Sequence, residues 1–285
     1  TIIKNAVIND YPIVEAITSI LPMVDEMIVL VGKSDDDTLG LMRSIGDPKI
    51  KIYESEWDPN LRKGGAVLAV ETNKAFALID PNSTWAFYIQ GDECVHEDDL
   101  KVIQKAIKEH HGDLSVDGLL FNYKHFYGSF DYIATSRRWY RKEIRLVRFN
   151  PLIHSYKDAQ GFRKEGKKLK VKEISAHIFH YGWVKPPSGL NQKVRNFTQF
   201  YHDDAWLAEN VPADYEFDFG NAERLTRFTG THPKVSQSRI KAQNWDFDFD
   251  PAVLRSKMSL RRKVLQKIAD WTGWRIGEYK NYQLI

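Results

Sequence analysis

Apolar residues recur along this chain in two rhythms, and the change between them near residue 125 divides it. In the first part, short apolar runs alternate with stretches of helical period. Thr1-Ile2-Ile3 reads as the stub of a strand. Asp10 can cap a helix that carries Pro12 in its first turn and Ile13, Ile17, Ile20 and Leu21 on one face. Met27 to Val31 is a continuous apolar run, the mark of a strand covered on both faces. Lys49 to Tyr53 alternates like a strand. Leu61 to Leu78 has helical spacing, weakened in its first turn by Gly64 and Gly65. Trp85 to Ile89 predicts the next strand and Gly118 to Tyr123 a later one. Between them, Glu97 to His110 predicts a helix with Leu100, Ile103 and Ile107 inward and its acids near the N-terminus, where the helix dipole favours them. Strands separated by helices predict an α/β fold with a mainly parallel central sheet and helices on both faces.

Beyond residue 125 the rhythm breaks. Aromatic and basic residues interleave, and turns become frequent. Arg145 to Phe149 and Ile174 to Phe179 predict strands of a small antiparallel sheet. Residues 190–210 carry a helical pattern, and 211–250 show little periodicity. Residues 251–272 predict a basic amphipathic helix ending in WTGW, packed on the main body through Val264, Leu265, Ile268 and Trp271. With no repeat or clear linker, the expected layout is one domain over 1–210, in halves 1–125 and 126–210. An extension over 211–285, irregular and then helical, follows it.

Composition narrows the function classes. At 285 residues, with 42% hydrophobic and 28% charged residues, the chain can bury a core of ordinary size. No window approaches the roughly 20 apolar residues of a membrane span, and the first residues lack the pattern of a secretory leader. A single cysteine, Cys94, excludes an internal disulfide and favours a reducing compartment. The expected location is therefore cytoplasmic, with the inner face of the membrane as an option. Net charge is only +3, so no nucleic-acid partner is expected. The basic stretches 137–148, 163–172 and 255–267 suit a phosphate-bearing ligand, a nucleic acid or an anionic membrane surface, with plain solvated surface as the alternative. There is no G-x-x-x-x-G-K-[ST] loop and no nucleophile elbow, which disfavours P-loop and serine-hydrolase chemistry.

The stretch WAFYIQGDECV, 85–95, draws attention to chemistry. An apolar strand runs directly into Gln90, Gly91, Asp92 and Glu93. In open α/β sheets, ligands bind beyond the carboxyl ends of the strands, and hard divalent cations take carboxylate oxygens together with substrate phosphates. Asp92 and Glu93 are thus candidate ligands of Mn²⁺ or Mg²⁺ in a metal–diphosphate site. Guanidinium forks match phosphate oxygens. Arg137, Arg138, Arg141 and Arg145 are candidates for such a contact, with at most one of Arg145 and Arg148 pointing inward.

IQGDECV resembles the D-x-D-E segment of family 2 glycosyltransferases, inverting enzymes of the nucleotide-sugar-binding GT-A fold. IIKNA at 2–6 resembles that family's first strand and its polar end. MIVLVGKSDDDT at 27–38 resembles the second strand and its loop, RKGGAVLAVETNKAFAL at 62–78 the helix after the third strand, and HYGWVKPP at 180–187 a His-Tyr-Gly-Trp segment of bacterial members. Two departures stand out. Gln90 replaces the first Asp of D-x-D, and Gly32 stands where the second strand usually ends in an acid. Gln90 can hydrogen-bond a ribose or phosphate but is a poorer metal ligand, which leaves Asp92 as the main one.

The resemblance implies a GT-A type, Rossmann-like fold and a glycosyl transfer with inversion, in surface polysaccharide or glycoconjugate synthesis. It implies a nucleotide-sugar donor and a glycan or lipid-linked acceptor. Asn5, Ser34, Asp36, Asp37, Gln90, Gly91 and Arg145 would contact the nucleotide, although Ser34 to Thr38 would serve equally as a helix cap with solvated acids. His180 would complete a metal shell with Asp92 and Glu93. Inversion needs a general base within reach of the acceptor hydroxyl; Asp158 is the first candidate and Asp131 the second. Lys185 and Lys193 are further candidates in a loop over the ligand. The basic C-terminal helix, with Trp271 and Trp274, offers a peripheral membrane contact. The alternative is a catalytically degenerate nucleotide-sugar or glycan-binding protein.

Overall fold

The computed structural model describes residues 1–212, 215–219, 222–248 and 258–285. Strand β1 (Ile2–Ile3), strand β2 (Met27–Gly32) and strand β3 (Ile50–Ser55) form a parallel sheet with β2 in the middle. All six residues of β2 are buried, and the reason is two-sided cover. Met27, Val29 and Val31 share one core with Ile13, Ile17 and Ile20 of helix α1 (Ile13–Ile20). Ile28 and Leu30 meet Ala75 on the other side. That residue belongs to helix α3 (Ala66–Ala77), which follows helix α2 (Thr38–Ser44). The cap of α1 differs from expectation: it is Pro12, and Asp10 stands before it at φ 46°.

Strand β4 (Trp85–Phe87) is shorter than its apolar run, because the chain turns at Gln90 and Gly91 and restarts as strand β5 (Glu93–Val95). Helix α4 (Glu97–Glu109) follows, capped by His96 Nδ1, which accepts from the Asp98 amide. Next come strands β6 (Gly118–Tyr127), β7 (Ser129–Ala134) and β8 (Lys142–Arg148). Strands β9 (Ile153–Tyr156), β10 (Gly161–Lys164) and β11 (Lys167–Lys168) make the small antiparallel sheet.

The 14-residue strand β12 (Lys170–Trp183) is the hub of the larger sheet. It runs parallel to β6 and antiparallel to β5, so the expectation that Ile174 to Phe179 is simply antiparallel needs this correction. A strand with different neighbours at its two ends carries no directional signal in its own sequence. Strand β6 also pairs with β8 and β7, and β4 pairs with β8.

Helix α5 (Pro187–Thr198) and helix α6 (Asp204–Asn210) follow β12. Strand β13 (Leu225–Arg227), helix α7 (Gln237–Lys241), helix α8 (Leu260–Thr272) and strand β14 (Gln283–Leu284) lie in the expected extension. They are not an appendage, since β13 pairs with β7 and β14 with β12. The part of the expected C-terminal helix over 251–257 lies outside the described residues. Where α8 is described, Val264 is 50% and Trp271 90% exposed, so these two do not pack on the body as expected. The inward contact is polar: buried Gln266 accepts from the Arg137 amide at 3.1 Å.

One buried ion pair ties these parts together. Arg145 on β8 and Glu93 at the start of β5 are both fully buried. Nε and Nη2 of Arg145 each donate to Glu93 at 2.7 Å, and the Tyr123 hydroxyl donates to the same carboxylate at 2.7 Å. Arg148 is buried as well, donating to the carbonyls of Val116, His110, His111 and Asp113. Both arginines therefore point inward, against the expectation of at most one, because β8 is covered on both faces. Arg145→Met should cost about 3–5 kcal/mol of stability, since it strands the Glu93 carboxylate. Adding Glu93→Leu should recover part of that loss in urea unfolding. A double variant no more stable than the single one would contradict the assignment.

Candidate active site

A cavity of about 320 Å³ opens beyond the carboxyl ends of β1 and β4. Its walls come from distant parts of the chain: Asn5 after β1, Gln90 to Asp92 between β4 and β5, Asp158 between β9 and β10, His180 on β12 and Lys193 on α5. Trp57, Tyr11 and Tyr201 are among the aromatic side chains that line it.

Asn5 adopts φ 53°, a left-handed conformation that asparagine tolerates better than most residues. The loop after β2 holds it there. Asn5 N donates to Ser34 Oγ at 2.9 Å, Asn5 Nδ2 to Asp35 Oδ2 at 3.0 Å, and the Asp35 amide to Asn5 Oδ1 at 2.8 Å. Asp36 accepts from the amides of Ile8 and Thr38, and Asp37 caps α2 by accepting from Gly40 N. Ser34 and Asp35 therefore hold Asn5 from behind, while Asp36 ties Ile8 to the start of α2 and Asp37 caps that helix; Ser34, Asp36 and Asp37, expected at the nucleotide, do not line the cavity. Gly32 has its explanation beside them. A Cβ there would lie 2.4 Å from Trp57 Nε1, so the indole fills the space an acid would need.

Glu93 and Arg145 are also absent from the wall. Bound to each other beneath it, they offer no free carboxylate to a metal and no free guanidinium to a diphosphate. Arg145 Nη1 donates onward to the Gln160 carbonyl at 3.0 Å, which joins the 90–93 turn to the segment carrying Asp158. Asp131 is exposed on β7 and lies outside the cavity.

Asp158 does line the cavity. Lys157 at φ 56° and Ala159 at φ 58° flank it, two non-glycine residues in the left-handed region on either side of one carboxylate. Strain of this kind collects at functional loops and persists only where the surroundings enforce it. Gly65, itself at φ 71°, is part of that enforcement: a Cβ on it would lie 2.7 Å from Asp158 Cβ. The Tyr201 hydroxyl stands 3.4 Å from Asp158 Oδ2. Among the described residues no cation pairs with Asp158.

Asp92 is in a different state. Lys193 Nζ lies 3.1 Å and His180 Nε2 3.6 Å from its Oδ2. Burial alone would raise this carboxyl, but the charges of Lys193 and then His180 outweigh it and hold the group well below the ordinary carboxylate range. His125 orients the imidazole. Its Nε2 faces the Tyr140 carbonyl at 2.8 Å and so carries the proton, leaving Nδ1 to accept from His180 Nδ1 at 3.2 Å. His177 lies off this face, beside Asp99.

The metal expected at Asp92, Glu93 and His180 does not fit these residues. Glu93 is closed by Arg145. Asp92 Oδ2 already meets the Lys193 ammonium, and a divalent ion bound to that oxygen would stand within a few ångströms of a like charge. Among the described residues no three His, Cys, Asp or Glu side chains gather as a metal shell.

Trp57, Tyr11 and Tyr201 line the cavity without having been singled out in the sequence. Aromatic residues at loop ends read by default as core, and no local pattern marks these three as wall.

No family model matches this chain, and no curated protein matches it. Among solved structures it is similar to the 4-diphosphocytidyl-2C-methyl-D-erythritol synthase of Anaerococcus prevotii. The identity is 13% and the TM-score 0.35, over 65% of this chain and 88% of that one. At that level the likeness bears on neither activity nor substrate. No helix among the described residues is long and apolar enough to cross a membrane.

Lys185 stands behind the cavity, buried, with its ammonium donating to the Asp10 carbonyl. Burial first, and the Lys193 charge next, push its pKa down to about 7. Between that value and the ordinary lysine value of about 10.4 the unfolded chain holds a proton that the folded chain has lost. Stability should therefore rise with pH across this window, by up to about 1.4 kcal/mol per unit. Lys185→Met removes the group, so its stability relative to wild type should be greatest near pH 7 and fall as pH increases to about 9.5. Urea unfolding at several pH values reads this directly; a difference that does not change with pH would rule it out.

Proposed function

We propose that this chain is an inverting glycosyltransferase of the GT-A type, moving a sugar from a nucleoside diphosphate donor to an acceptor hydroxyl. One observation carries the reading. Asn5, Gln90, Gly91, Asp92, Asp158 and His180, singled out by the family resemblance at widely separated positions, line a single cavity. In this reading residues 1–125 supply the donor half, 126–210 the acceptor half, and 211–285 an extension that completes the acceptor side. The acceptor is a glycan or a lipid-linked sugar, in surface polysaccharide or glycoconjugate synthesis.

Asp158 is the general base. Its carboxylate takes the proton of the acceptor hydroxyl as that oxygen attacks C1 of the sugar. The bond from C1 to the phosphate oxygen breaks on the opposite face, its electron pair leaves with the nucleoside diphosphate, and C1 is inverted. Asn5, Gln90 and the Gly91 backbone face the nucleotide, and Trp57 offers a ring to its base or ribose. Lys193 provides positive charge near the 90–92 turn for the oxygen anion that develops on the leaving group.

A second reading has its own support. Gln90 in place of an acid and the closed Glu93 both suit a protein that binds a nucleotide sugar or glycan without turnover. The melting temperature against UDP, GDP, CDP and dTDP, followed by nucleotide release from the matching sugar nucleotides, separates the two. A transferase should be stabilised by one nucleotide class and release nucleotide from its sugar derivative. Asp158→Asn should lower that release by about 10²–10⁴-fold with nucleotide binding unchanged. Stabilisation without release in the wild type would favour the binding protein. No stabilisation by any nucleotide would count against the transferase and against nucleotide-sugar binding, and would leave only the glycan-binding protein.

A further inference from the structure

The cluster around Asp92 is built about a cation, and the chain itself supplies one. Asp92 Oδ2, Lys193 Nζ and His180 Nε2 converge on Gly182. A Cβ added there would stand 2.4, 2.7 and 2.9 Å from them respectively. Lys193 is only 6% exposed and donates to Asp92 Oδ2 at 3.1 Å and to the Gly182 carbonyl at 2.7 Å. Its ammonium also lies 5.5 Å from the ring centroid of Tyr11 and 5.3 Å from that of Trp183, within the range of cation–π attraction. One lysine thus has a carboxylate, a carbonyl and two aromatic faces, the surroundings of a bound ion rather than of a solvated surface group. Fixing so long a side chain costs rotamer entropy, which these contacts offset together.

Charge decides what this site can accept. Glu93 is neutralised by Arg145 and Asp92 by Lys193, so no net negative charge remains to attract a divalent ion. A lysine ammonium has three donors. Two are taken, by Asp92 and Gly182, and the third is left for a ligand oxygen.

We propose that Lys193 is the resident cation of this cavity and meets the phosphate oxygens of a nucleoside diphosphate there with no divalent metal between them. The proposal rests on the nucleotide-binding reading above, and it explains why an amide at Gln90 suffices where an acid would serve a metal.

The test uses the full chain and the nucleotide, among UDP, GDP, CDP and dTDP, that raises its melting temperature most. Calorimetric affinity is measured in EDTA and in Mn²⁺, and Mn²⁺ binding to the ligand-free protein is followed by electron paramagnetic resonance. Wild type should bind the nucleotide equally, within about twofold, in both conditions and should leave Mn²⁺ free at micromolar protein. Lys193→Ala should lose at least about tenfold in nucleotide affinity in EDTA, and it should bind Mn²⁺ once Asp92 and His180 are released. Lys193→Arg, which keeps the charge, should stay metal-independent and guards against a misfolded alanine variant. Nucleotide binding by wild type only with Mn²⁺ would overturn the proposal and leave the glycosyltransferase reading standing. Tight Mn²⁺ binding by the ligand-free wild type would overturn it whatever the nucleotide result. No binding of any nucleotide in either condition would overturn both.

Discussion

The buried pair of Glu93 and Arg145 is the interaction on which the rest of the cavity depends. It is bidentate, fully enclosed and supported by the Tyr123 hydroxyl. Arg145 also reaches the Gln160 carbonyl, so a single guanidinium holds the 90–92 turn and the 158–160 segment at once. Two buried charges without such complete hydrogen bonding would be expensive to remove from water. Here all three nitrogens of the guanidinium donate, and the two carboxylates of the cavity, Asp92 and Asp158, lie on the segments it joins. The adjacent acids at the end of a core strand thus divide their work: Glu93 turns inward to hold the floor, and Asp92 faces the cavity.

Lys193 brings an ammonium to one wall, while Asp158 stands on the wall formed by the segment between β9 and β10. The cavity is therefore polarised. Its aromatic lining lowers the local dielectric and strengthens each charge it contains. The proposed transfer would set its anionic leaving group toward Lys193 and its hydroxyl nucleophile toward Asp158.

Much of the first part was legible, because local pattern and tertiary context agree there. The continuous apolar run of β2 forecast cover on both faces, and α1 and α3 provide it. The spacing of Ile13, Ile17 and Ile20 forecast a helix face that is buried as written. The second part was legible only as a change of rhythm. Strand β12 meets β6, β5 and β14 at different points along its length, and nothing local in fourteen residues announces three partners. In the candidate site, residues at strand ends were the legible ones: Asn5, Gln90, Gly91, Asp92 and His180 all line the cavity. The acids after β2 were harder to read. A loop that binds a nucleotide and a loop that supports another loop use the same hydrogen-bonding residues, and only the position of Asn5 tells them apart. Lys193 could be guessed as a ligand contact, but its partnership with Asp92 joins residues 101 positions apart.

Strand β14 has a consequence for how the protein is made. It pairs with the first residues of β12, covering Lys170 and Val171 with Gln283 and Leu284. An uncovered strand edge invites pairing with other chains. During synthesis, that edge emerges from the ribosome more than a hundred residues before its partner does. At about 5–20 residues per second, β12 waits roughly 6–23 s with part of its backbone unpaired, and the sheet closes there only after residue 284 is free.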